Sequence, residues 1–224
     1  MITVDYVLAT FTDVELKAFD VPKLRGYFPR KYPDEPNFHN HMDPNNVSYQ
    51  YPKIQYRIYN GNPALIGIGE GIQIVKSIIL DDHDIKIDQR SMRVHEIQME
   101  FVTADFGQTK SYQNYRYISP WMALNQENFK EYIKMNPIDQ KKRLKQILKG
   151  NLLTISKAFG YTIPDFETIE VDGWFKPVER NFHNIPMQCF TGEFTTNFII
   201  PDLLGLGKQC ARGFGVVKRM KEKG

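Results

Sequence analysis

Gly205-Leu206-Gly207-Lys208-Gln209-Cys210-Ala211-Arg212-Gly213-Phe214-Gly215 sets two Gly-x-Gly pairs five residues apart, with a lysine and an arginine between them. Glycine lets the backbone take positive φ and approach a ligand with no Cβ in the way. The two cations point to an anionic ligand, and phosphate is the natural one. The familiar phosphate loops do not fit, however. A dinucleotide fingerprint needs glycine at Cys210, and a nucleoside-triphosphate loop needs Ser or Thr where Gln209 follows Lys208. Both loops also open a helix inside a longer βαβ unit. Residues 216–224 begin apolar and end basic, which predicts one closing strand and a short tail. On that reading a nucleotide cofactor is not expected.

A chain of 224 residues has room for one large domain or two of about 100 residues each. Its 15 Phe, 12 Tyr and 2 Trp serve mainly as core, although exposed rings can also stack on splayed bases. The net charge is only +3, so basicity is local: Lys141, Lys142, Arg143, Lys145 and Lys149 crowd one predicted helix, and Lys218, Arg219, Lys221 and Lys223 crowd the tail. An acidic stretch holds Asp81, Asp82, Asp84 and Asp88. Such patches favour a polyanion on one face, and equally describe a solvated helix and a frayed tail. Two cysteines, Cys189 and Cys210, make neither a metal knuckle nor a disulfide framework. No run reaches the ~18 apolar residues of a membrane span, and no signal peptide is evident, so a cytoplasmic setting without membrane contact is expected.

The spacing of the glycine stretch before a terminal strand resembles the signature of the CRISPR-associated endoribonucleases that cut repeat RNA, the sixth CRISPR-associated protein family. Two further segments carry the likeness. Ser119-Pro120-Trp121-Met122-Ala123-Leu124-Asn125 is similar to the family's crossing between halves. Phe38-His39-Asn40-His41 ahead of Tyr49-Gln50-Tyr51-Pro52-Lys53-Ile54-Gln55-Tyr56 is similar to the active-site segment of its compact, archaeal-type branch.

Periodicity supplies the elements. Residues 1–11 alternate as a strand, and residues 14–19 read as its partner across a short turn. Asp20 as N-cap with Pro22 in the first turn starts a helix running to Arg30. Residues 33–46 are irregular; residues 49–59 and 64–68 form a hairpin around Asn60-Gly61-Asn62-Pro63; residues 69–80 are helical; residues 93–104 alternate again. With one hairpin set aside, the order is β-α-β-β-α-β. A second unit begins near Tyr112, with a strand at 112–118, helices at 128–135 and 137–159, and strands at 166–178 and 187–200. The amphipathic stretch after Asp139, with Leu144, Ile147, Leu148, Leu152 and Ile155, is the clearest helix. The resemblance then implies an α+β protein of two tandem ferredoxin-like (RRM-like) domains. Residues 1–110 would carry the histidine loop, residues 111–224 the glycine-rich loop, and residues 119–125 the crossing between them.

His39 and His41 lie two apart beside Asn40 and Asp43. Imidazole suits proton transfer near neutral pH because both of its forms are populated there. RNA self-cleavage needs a base for the 2′-hydroxyl, an acid for the leaving 5′-oxygen and a cation for the phosphate charge. The resemblance implies His41 as principal catalytic residue, with His39 assisting, and Tyr27 and Lys53 as further members, Tyr49 and Lys31 being substitutes. It implies metal-independent cleavage of CRISPR repeat RNA to 2′,3′-cyclic phosphate and 5′-hydroxyl ends. RNA phosphates would be gripped by backbone N–H groups of the loop Gly205, Gly207, Gly213 and Gly215, with Lys208 and Arg212. No cofactor is expected, and the implied partners are repeat RNA, subunits of a CRISPR effector complex, or a second copy of the chain. Two rival readings stay open: a catalytically silent repeat-RNA-binding subunit, and a metal-dependent hydrolase using His39, His41 and Asp43. His83, His95 and His183 lack any such context.

Overall fold

The computed structural model describes residues 1–35, 38, 51–79, 84–182 and 185–221. It divides into two compact units. The first comprises Val4–Ala104 with Ala211–Gly213; the second comprises Met1–Thr3, Asp105–Cys210 and Phe214–Gly224.

The first unit opens with β1 (Ile2–Phe11), an alternating strand whose Val7 and Ala9 reach the core. Asp20 precedes α1 (Val21–Lys31), and Pro22 sits in the first turn, where its missing N–H costs nothing. The Asp20 carboxylate does not cap the helix; it is buried and accepts from Arg90 Nη2 at 2.9 Å. β2 (Ile54–Tyr59) and β3 (Asn62–Ile68) form a hairpin with Tyr59 opposite Asn62. Asn60 and Gly61 take φ of 51° and 87°, the pair of positive angles that a two-residue turn needs to match strand twist. After α2 (Gly71–Ile79) comes a separate hairpin, β4 (Asp84–Ile87) with β5 (Arg90–Arg93), and then β6 (Ile97–Tyr117). The strand order is β2-β3-β1-β6. With the β4–β5 hairpin set aside, the order is the β-α-β-β-α-β of a ferredoxin-like half. Leu24 and Phe28 of α1 and Val75 of α2 pack with Tyr56 and Leu65 in its core. Burial of each large side chain of this kind contributes about 1.5–3 kcal/mol.

The second unit repeats the plan with one omission. Its strands are the later part of β6, then β7 (Val171–Phe182), β8 (Ile185–Ile199) and β9 (Val217–Arg219), in the order β7-β8-β6-β9. α3 (Gln126–Tyr132) and α4 (Pro137–Ala158) come between β6 and β7. Asn136 caps α4, its Oδ1 accepting from the Asp139 N–H at 3.0 Å. Leu144, Leu148, Leu152 and Ile155 form the buried stripe of α4. Between β8 and β9, where a ferredoxin-like half places its second helix, stand the glycine-rich stretch and one 3-10 turn, Cys210–Arg212.

Several expected elements differ. Residues 14–19 form no strand: Val14 and Leu16 are buried, but the Val14 carbonyl is taken by Asn62 Nδ2 at 2.9 Å and a 3-10 turn, Ala18–Asp20, follows. Most of the two strands expected at 93–104 and 112–118 falls in one 21-residue strand, Ile97–Tyr117, while Arg93 ends β5. Gly107 at φ 128° and a register shift between Gln108 and Gln113 absorb the irregularity that reads as a break. Residues 166–170 begin with a 3-10 turn closed by Asp165, whose Oδ1 accepts from the Glu167 N–H, and β7 starts only at Val171. Residues 119–125 are no crossing between units. They lie wholly within the second, where Trp121 is fully buried and exchanges backbone hydrogen bonds of 2.7 and 2.8 Å with Phe190.

Candidate functional site

In the glycine-rich stretch, the glycines answer first to the protein's own atoms. Gly215 has φ 63°, and a Cβ there would stand 2.0 Å from the Leu206 carbonyl oxygen. At Gly207, φ 85°, a Cβ would stand 2.6 Å from Trp121 Nε1, the atom that donates to Asn151 Oδ1. At Gly205 it would meet Cys210 Cβ at 2.6 Å. Several backbone donors are also engaged: Leu206 N–H donates to Gly215 O at 2.8 Å, Lys208 N–H to Met122 O at 3.1 Å, and Gly215 N–H to Pro120 O at 2.8 Å. These three cannot also serve a phosphate; the side chains of Lys208 and Arg212 are each half-buried.

Arg212 and Gly213 belong to the first unit. Gly213, φ 80°, lies against β2, where a Cβ would come 3.1 Å from the Tyr56 carbonyl, and against Val21 of α1 at 3.4 Å. Arg25 follows Val21 by one helical turn and shares its face. Burial, with the Arg25 guanidinium nearby, draws Arg212 down to about 10, and burial likewise lowers Arg25. On the same strand Arg57 is buried, with Nη2 donating to Gln55 Oε1 at 2.7 Å. Arg25 and Arg212, near one another in a partly desolvated setting, suit an anion. Sequence reading gave no role to Arg25 or Arg57. Neither the helix pattern nor the strand pattern singles them out, because their neighbours Arg212 and Gly213 come from a distant part of the chain.

His39, His41 and Tyr49 lie outside the described residues, as do His83 and His183. His95 is exposed, its N–H held by Asp13 Oδ2 at 2.7 Å. Tyr27 is mostly buried on α1, edge-on to Phe28, and its hydroxyl donates to the Asp84 carbonyl. Lys53, just ahead of β2, is exposed and paired with Glu70. Lys31 places its ammonium 5.9 Å from the centre of the Tyr27 ring and 5.5 Å from that of Tyr32.

The cations of α4 are largely matched by acids. Lys145 and Lys141 both reach Asp172, at 2.9 and 3.4 Å, while Lys142 meets Asp139 at 3.8 Å and Lys149 meets Glu167 at 4.0 Å. The Lys145 hydrogen bond, with the Gly173 N–H, holds the Asp172 carboxyl down at about 2. No helix among the described residues is long and apolar enough to cross a membrane.

This arrangement has close counterparts. Residues 2–105 match the model of the Cas6b N-terminal domain, and residues 107–220 match that of the Cas6b C-terminal domain. Among curated proteins, an uncharacterized protein of Methanocaldococcus jannaschii is 32% identical over 148 residues, 65% of this chain and 98% of that one. Among solved structures, one described as a crystal structure of Cas6b superposes with a TM-score of 0.91 at 38% identity, covering 98% of this chain and all (100%) of that one. A second, described as the CRISPR RNA processing endoribonuclease Cas6b, gives 0.79 at 34% identity with the same coverage, 98% and 100%. A CRISPR-associated Cas6 structure at 16% identity and a TM-score of 0.53 shares the fold of paired ferredoxin-like halves. With both halves matched by the family's own domain models and relatives above 30% identity along nearly its whole length, the chain belongs to the Cas6b family.

Proposed function

We propose that this protein cleaves CRISPR repeat RNA, releasing guide RNA from its precursor, by attack of a ribose 2′-hydroxyl on the neighbouring phosphate. The observation that carries the reading is the 34% identity, along 98% of the chain, to a protein described as a CRISPR RNA processing endoribonuclease. In the reaction a base removes the 2′-hydroxyl proton, the 2′-oxygen bonds to phosphorus, and the P–O5′ bond breaks. An acid supplies the proton that O5′ takes up. The products are a 2′,3′-cyclic phosphate and a 5′-hydroxyl; no water is consumed, and the nucleophile belongs to the substrate, so no metal is needed to make one.

In this reading His41 transfers a proton at the scissile nucleotide with His39 assisting, Lys53 steadies the charge on the phosphorane, and Tyr27 positions the segment. The N-terminal half carries the chemistry. Lys208 and Arg212, on the scaffold built by Gly205, Gly207, Gly213 and Gly215, hold phosphates of the RNA, with Arg25 beside Arg212. Subunits of an effector complex, or a second copy of the chain, are further proposed partners.

The test is incubation of the purified protein with end-labelled repeat RNA in excess EDTA, beside His41→Ala and a substrate carrying one 2′-deoxy sugar at the cut. Cleavage is expected to survive EDTA, to stop with the deoxy sugar, and to slow by about 10²- to 10⁴-fold in His41→Ala with binding retained. Tight binding without cleavage would replace the proposal with a guide-RNA-holding subunit, and cleavage lost in EDTA would move it to a metal site.

A further inference from the structure

The sheet of the second unit has two unlike faces. On the inner one, Phe175, Phe190 and Tyr117 pack around Trp121, which is hydrogen-bonded to Asn151 of α4, and Phe194 and Tyr115 continue the cluster from Tyr117. The outer one is exposed around Trp174, although Cys189 farther along it is buried, and registers place its residues in rows. Trp174 lies opposite Glu193, Glu193 opposite Arg116, and Arg116 opposite Lys218, so four strands contribute one row. The next row in one direction is Asp172, Thr195 and Asn114; in the other, Lys176 faces Thr191. Trp174 is 66% exposed, and the side chains of Arg116, Lys176 and Lys218 are exposed with it.

We infer that this outer face, centred on the exposed Trp174 ring among Arg116, Lys176 and Lys218, is a stacking platform for a single-stranded stretch of RNA. The inference rests on the reading of this chain as an RNA-binding protein and adds a contact surface separate from the residues assigned to the chemistry. Charge decides the kind of partner. Three cations share the face with Glu193 and Asp172, and Asp172 already holds Lys141 and Lys145. The surplus is positive, as a phosphate backbone requires. The ring supplies what an unpaired base needs, since base–aromatic stacking tolerates any sequence. A duplex, whose bases already stack on one another, has no use for it. A protein strand docking on the free edge of β7 is disfavoured, because that edge carries Lys176 and Pro177, the residues that block edge pairing.

The chain's two tryptophans make the test direct, because Trp121 is buried and Trp174 exposed. The full protein is titrated with fluorescent oligoadenylate of about 12 nucleotides, a length within the usual single-strand site sizes, following both tryptophan emission and oligonucleotide anisotropy. The expected result is quenching of the Trp174 contribution on binding. Trp174→Ala should weaken binding by about tenfold, within the range of one base–aromatic stack, and Trp174→Phe should restore most of it. Arg116→Gln with Lys218→Gln should flatten the slope of log affinity against log salt by about 1.4, two single-strand phosphate contacts. Absent binding, binding without quenching, or wild-type affinity in Trp174→Ala overturns the inference, as does a Trp174→Ala effect confined to self-association in sedimentation. Quenching that persists in a preparation unable to cut repeat RNA would overturn the nuclease reading and leave this one standing.

Discussion

Gly215 and Gly150 show how differently two glycines can be held. Gly215 is buried with φ 63°, and a Cβ there would stand 2.0 Å from a carbonyl oxygen. Gly215→Ala should therefore cost about 2–4 kcal/mol, read from the urea midpoint, in the range of backbone strain with overpacking. Gly150, within α4, has nothing near its Cβ direction, so Gly150→Ala should stabilise by about 0.5–1 kcal/mol. The sequence shows where glycines cluster and that the backbone must come close to something there. It does not say whether the something is a ligand or the protein's own carbonyls, because both select the same residue. The roles of His41 and His39 come from the family resemblance, while Tyr27 and Lys53 turn out to have neighbours, the Asp84 carbonyl and Glu70, that no local pattern announces. Asp172 gives a prediction in pH. Its folded pKa of about 2 lies below the ordinary 3.8, so the ionised carboxylate favours the fold above about pH 4, and that contribution is lost as pH falls from about 4 to about 2. Asp172→Asn should lower stability slightly at pH 7 and show a shallower loss over that acid window, followed by denaturant midpoints.

At the scale of elements, α4 was the most legible because a 3.6-residue repeat over 22 residues leaves no competing period. Leu148, fully buried in its stripe, should cost about 2–5 kcal/mol when changed to Ala. Its start at Pro137 also falls where the sequence puts it, with Asn136 as the cap and Asp139 acidic in the first turn. β6 covers most of the two strands expected at 93–104 and 112–118, and Gly107 stands between them. Its φ of 128°, with Tyr161 packed where a Cβ would point, lets the strand pass a bulge and continue. The basic face of α4 carries a different lesson, since counting lysines along a helix ignores acids that folding brings from β7. Lys141→Ala with Lys145→Ala should leave the salt dependence of repeat-RNA binding nearly unchanged. Lys208→Ala with Arg212→Ala should flatten it by about 1.4 and weaken binding, as two lost single-strand contacts would. Equal slopes for the two pairs would return α4 to the binding surface.

For the molecule as a whole, the β-α-β-β-α-β order of the first unit could be read from periodicity, because each of its elements is short and bounded by turns. The second unit was harder, its tandem relation to the first leaning on resemblance, since a glycine-rich stretch replaces one of its helices and erases the pattern that would have revealed a repeat. The same stretch also sets when the first unit is completed. Ala211–Gly213 belong to the first unit, although 106 residues separate Ala211 from Ala104, the last residue before the chain leaves that unit. A ribosome adding about 5–20 residues per second therefore spends roughly 5–20 seconds making residues 105–210 before it supplies the triplet that completes the first unit, and Phe214–Gly224 of the second unit follow it. During that interval the surface formed by Val21, Tyr56 and Arg57 waits uncovered for Gly213.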